Sequence, residues 1–111
     1  MPVRAAFVLA SFIAYLTPDA AAAAMYRCSD SFDVPLGFLY VDETGYEWTK
    51  TNSAFEPVEA AENGSGELDY SGLYFVPRSG PMASWGVTGA IGDGFLNINN
   101  SNGALMGCRQ T

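Results

Sequence analysis

A chain of 111 residues with twelve Asp or Glu, five Lys or Arg and no histidine carries a net charge of −7. Phosphate binding rests on clustered Lys and Arg, so this balance excludes nucleic acid as a partner and favours a cationic protein. Without His the commonest general base and zinc ligand are missing, so the chain is not read as an enzyme and no cofactor or metal is expected.

The chain opens with Arg4, the apolar run "AAFVLASFIAYL" from Ala5 to Leu16, the breaker Pro18 and the small residues Ala20 to Ala24. That order of charge, apolar core and small-residue cleavage site is a secretory signal peptide over residues 1–24. The interruption from Leu16 to Ala20 stops the run short of the ~20 apolar residues of a spanning helix, so no membrane anchor is expected. Cys28 follows "MYR" rather than a lipid-attachment pattern. Residues 25–111 then form one domain with one modest core. Its charge stays the same, because the leader removes one cation, Arg4, and one acid, Asp19.

Beyond the leader, short runs rich in Val, Phe, Tyr, Leu and Ile alternate with Gly, Asn, Asp and Ser clusters about every ten residues. The strands expected are Met25–Cys28, Leu36–Val41, Tyr46–Thr51, Ala54–Val58, Leu68–Val76 with an irregularity at Gly72, Ser84–Thr88, Phe95–Asn99 and Ala104–Cys108. "DETG", "IGDG" and "NNSNG" supply the hairpin turns before Tyr46, Phe95 and Ala104. No helical periodicity competes, and "EPVEAAEN" allows only a brief turn of helix. The fold class is therefore all-β, a small antiparallel barrel of about eight strands, whose closure removes exposed edges.

Two cysteines, Cys28 and Cys108, stand at the two ends of the domain. In an oxidising compartment they form one disulfide stapling the first strand to the last. The close spacing of a redox pair is absent. The acidic clusters "DETGYE" and "EPVEAAE" do not match a calcium loop and read as solvated surface. "NGS" at Asn63 and "NNS" at Asn99 fit the N-glycosylation triplet, a pattern that recurs by chance. Tyr46, Trp48, Tyr70, Tyr74, Phe75 and Trp85 read either as a stacking platform or, for about half of them, as core.

The segment "NGSGELDYSGLYFVPRSGP", Asn63 to Pro81, is the most turn-rich of the chain. Within it "SGELDY", Ser65 to Tyr70, and "YFVPRSG", Tyr74 to Gly80, together with the opening "YRC" and the closing "CR", resemble the periplasmic and membrane-bound inhibitors of c-type lysozyme. The first motif in that family reads Ser-Gly-Ala-basic-Tyr, and the second is Trp-Ser-Lys-Gly-like. Here Glu67 and Leu68 stand where the family has Ala and a base, Val76 and Pro77 replace Trp-Ser, and Arg78 replaces Lys. The resemblance spans most of residues 25–111 in outline and is specific at a few positions. It implies a periplasmic or secreted monomer or homodimer that blocks the lysozyme cleft with a protruding loop. Ser65, Gly66, Tyr70, Arg78 and Gly80 are the lysozyme-binding residues it implies, with Ser65 and Arg78 meeting the two catalytic carboxylates. The chemistry suits that cleft, since a hydroxyl donates to a carboxylate and a guanidinium bridges one bidentately. The alternative is a structural or protein-interaction module of the bacterial cell envelope.

Overall fold

The computed structural model describes residues 23–111; the expected signal peptide over residues 1–24 lies outside them except for its last two positions. Eight strands occupy the described chain: β1 Ala24–Ser29, β2 Pro35–Val41, β3 Gly45–Lys50, β4 Gly64–Ser71, β5 Tyr74–Pro77, β6 Thr88–Ile91, β7 Phe95–Asn100 and β8 Gly103–Gln110. Each pairs antiparallel with its neighbour in sequence, and β1 pairs with β8 to close the barrel. The expected closed all-β fold is what forms.

Period-two patterning builds the walls. Tyr26 and Cys28 of β1, Leu39 and Val41 of β2, Tyr46 and Trp48 of β3, Leu96 and Ile98 of β7, and Met106 and Cys108 of β8 all point inward and are buried. Leu68, Phe75, Met82 and Val87 complete the interior, so the barrel is filled by its own side chains. Register shifts between Cys28 and Ser29 and between Ile98 and Asn99 supply local bends on the strands flanking the seam. At the seam itself Cys28 lies opposite Cys108, and the two form the expected disulfide, entirely buried.

Three of the expected strands are placed differently, and each difference has a local cause. Ala54–Val58 is not a strand: its only ladder contact is the single bridge Thr51–Pro57. The Asn52 side chain accepts the backbone N–H groups of Ala54 and Glu56, giving this segment a tight turn in place of a ladder, and Pro57 brings no donor. Leu68–Val76 is two strands, with the irregularity at Gly72 being the hairpin itself, where φ is +65°. Ser84–Thr88 is not a strand: Ser84 and Trp85 end a 3-10 helix, Pro81–Trp85, which closes on Gly86 in the left-handed region, and only Thr88 belongs to β6. Proline at the start and glycine just past the end are helix punctuation, and they outweigh the apolar character of the segment. Two expected strands are lost, one is divided, and β6 at Thr88–Ile91 forms where none was expected, so the count of eight survives.

The long connection from β3 to β4 is fastened by Asn63, whose amide donates to Val58 O at 2.8 Å and accepts from Lys50 N at 2.8 Å. That side chain of the first glycosylation triplet is thus committed to holding the backbone. No helix of the described residues is long and apolar enough to cross a membrane.

Candidate functional site

The two motif segments, thirteen residues apart between Ser65 and Arg78, come together because β4 pairs with β5 and the chain leaving β5 continues alongside β4. Arg78 N donates to Glu67 O at 2.8 Å, and Glu67 N donates to Ser79 Oγ at 2.9 Å. The clasp is then locked from below. Buried Tyr46 donates its hydroxyl to Ser79 O at 2.8 Å and accepts Met82 N at 2.8 Å. Gly66 and Gly80 permit the approach: a Cβ at Gly66 would collide with Ser79 O, and one at Gly80 with Ser65 O.

Alternation along β4 decides what this clasp presents. Ser65, Glu67 and Asp69 point outward and are exposed, whereas Leu68 is buried and Tyr70 half-buried. Ser65 therefore lies within a strand, not on the protruding loop expected for it. Across the β3–β4 ladder it faces Glu47. A shallow depression of about 280 Å³ beside it is lined by Tyr40, Asp42, Thr44, Tyr46 and Glu47. Arg78 is exposed on the segment after β5, but its guanidinium is engaged: Nη2 lies 3.0 Å from Glu67 Oε1 and Nη1 3.3 Å from Asp69 Oδ1. Of the five residues implied by the resemblance, Ser65 and Arg78 share the outer face, Gly66 and Gly80 shape the backbone between them, and Tyr70 faces the other way.

No known protein family, curated protein or solved structure matches this chain.

Tyr70 is a structural residue here. Its hydroxyl donates to Asp42 O at 2.6 Å and its ring meets Phe75 edge-on at 5.7 Å. Burial, then the negative charges of Asp42 and of the Tyr26 phenolate, push its pKa up to about 12. Asp42 itself is held below the usual carboxylate range, chiefly by the backbone N–H groups of Thr44 and Gly45 in the β2–β3 turn. Because a tyrosine in the unfolded chain titrates near 10, the unfolded state loses its proton first as pH rises. The contribution of Tyr70 is therefore fully present below about pH 10 and is lost between about 10 and 12. It amounts to on the order of 2 kcal/mol. Urea unfolding between pH 9 and 12 is expected to show this fall, and Tyr70→Phe is expected to flatten it; an unchanged slope in the variant would assign the alkaline loss to other groups.

The aromatic stacking platform does not form. Tyr46, Trp48 and Phe75 are core, Trp85 packs edge-on against Trp48 at 5.5 Å, and Tyr74 is exposed on β5. Sequence reasoning missed Tyr46 and Ser79 as the fastening of the clasp. Their partnership spans 33 residues and has no local signature. Among the described residues no group of three or more His, Cys, Asp or Glu converges as a metal site.

Proposed function

We propose that this protein is a periplasmic or secreted inhibitor of c-type lysozyme, acting through the outer face of the β4–β5 clasp. The observation that carries the reading is the union of the two motif segments into one hydrogen-bonded unit that leaves Ser65 and Arg78 exposed together. A net charge of −7 draws such a domain toward a basic lysozyme and speeds their encounter. The disulfide is compatible with an oxidising destination.

Arg78 reaches a lysozyme carboxylate by exchanging Glu67 and Asp69 for it. Exposed pairs of this kind contribute about 0–1 kcal/mol each, so the exchange is readily offset at a desolvated interface. In a lysis assay the domain is expected to slow a c-type lysozyme, less so as salt rises. Arg78→Ala is expected to weaken inhibition about 10- to 100-fold, or about 1.4–2.7 kcal/mol. Ser65→Ala removes one hydrogen bond, about 1 kcal/mol. Absence of inhibition at micromolar protein would overturn the reading.

The ion pairs of Arg78 favour a second reading, an interaction module of the cell envelope whose binding groups are the acids themselves. The double variant Glu67→Gln/Asp69→Gln separates the two. If Arg78 is the ligand, freeing it strengthens or preserves lysozyme inhibition; if Glu67 and Asp69 carry the binding, affinity for a cationic partner falls more than tenfold.

A further inference from the structure

We infer that the groove between the β1–β8 seam and the β3–β4 connection is a binding site for a small organic anion, a carboxylate carried on an apolar or aromatic body. Two independent observations meet there. The first is electrostatic. Arg27 of β1 and Arg109 of β8 lie directly opposite each other on the outer face of the barrel. Among the described residues, Lys50 and Arg78 each sit within 4.0 Å of a carboxylate, and Arg27 and Arg109 do not. A chain rich in acids thus leaves two arginines directly opposite each other on adjacent strands, an arrangement that destabilises a sheet unless an anion joins them.

The second observation is backbone strain. Among the described residues only Asp33 and Phe55 adopt positive φ without being glycine, at 63° and 57°, and both line this same groove. For a bulky aromatic the left-handed region is costly, and such strain gathers at ligand sites where the surroundings enforce it. Here the Asn52 turn enforces it, through bonds to Ala54 N and Glu56 N and from Phe55 N to Asn52 O. The result sets the Phe55 ring 5.1 Å from the Arg27 guanidinium and 5.7 Å from the Phe38 ring.

Phe95, exposed on β7 and opposite Arg109 in register, forms the other apolar wall, and Asn97 lies beside it in a groove of about 510 Å³. Two guanidinium forks suit one carboxylate, and the two phenyl rings suit its apolar body. Asp30 and Asp33 also line the groove, which is therefore neutral as a whole. The Asp30 carboxylate accepts the backbone N–H groups of Phe32 and Val34 at 2.8 and 3.0 Å, so it serves its own turn. These two acids select a ligand with one anionic head over a polyanion.

The test is a nuclear magnetic resonance titration of the disulfide-bonded protein with 4-phenylbutyrate, alongside its neutral amide. Saturable shifts confined to Arg27, Arg109, Phe55, Phe95 and their neighbours are expected at millimolar ligand, with the amide and Arg109→Gln each lowering affinity at least tenfold. Arg109→Gln is also expected to raise the melting temperature of the free protein by about 1–4 °C, because it removes the facing charge. Equal binding of the amide, undiminished binding by Arg109→Gln, or no localised shift at about 10 mM ligand would overturn the inference. So would a fall in the melting temperature of that variant, which would make Arg109 a structural cation.

Discussion

Replacing Cys28 and Cys108 together by alanine is expected to lower the melting temperature by about 15–30 °C. The bridge joins residues 80 apart in sequence, and closing a loop of that length stabilises the folded state by about 4 kcal/mol in the chain-entropy account. In a domain of this size each kcal/mol moves the midpoint by roughly 4–8 °C. The bridge also sits where closure of the barrel is decided. β1 and β8 form the seam that turns a meander into a barrel, and Cys28–Cys108 is one of the four opposed pairs on that ladder, beside Tyr26–Gln110, Arg27–Arg109 and Ser29–Gly107. One of the remaining three opposes two cations. Thermal unfolding followed by circular dichroism, with and without reductant, checks this; a loss below about 5 °C would mean that the ladder and core close the barrel unaided.

The second large effect is expected at Gly80. Its φ is +81° with ψ −174°, a region essentially confined to glycine and costing another residue about 1–3 kcal/mol, and an added Cβ would meet the Ser65 carbonyl and the Tyr46 hydroxyl. Those contacts are backbone and a buried hydroxyl that already holds Ser79 and Met82, so neither yields freely. Overpacking of this kind adds about 1–3 kcal/mol. Gly80→Ala is therefore expected to cost about 2–6 kcal/mol and to part the two motif segments. Chemical denaturation gives the stability loss. Lysozyme inhibition, measured well below the variant's unfolding midpoint, is expected to fall with it, because Ser65 and Arg78 keep their relation only while the clasp is closed. A variant that kept full stability would show that the segment after β5 has room to move outward.

What the sequence alone determined is the set of features that act over a few residues. Short apolar runs bounded by Gly, Asn, Asp and Ser clusters put strands at Leu36–Val41, Phe95–Asn99 and Ala104–Cys108, within a residue or two of β2, β7 and β8, because runs of this length and residue type favour a pleated strand and turn residues end it. The turns at Asp42–Gly45 and Asn100–Gly103 were equally legible, since Asp, Asn and Gly bond locally or tolerate positive φ. With two cysteines there was one pairing to make. Local turn and cap chemistry, outweighing apolar character, also kept Ala54–Val58 and Ser84–Thr88 from forming strands, through Asn52 in the first and through Pro81 and Gly86 in the second. Tertiary structure decided the rest. The face of β4 that carries Ser65 away from Tyr70 depended on register against β3 and β5. So did the capture of Arg78 by Glu67 and Asp69 and the confrontation of Arg27 with Arg109. Register and charge pairing join residues distant in sequence, and no local pattern in the chain encodes them.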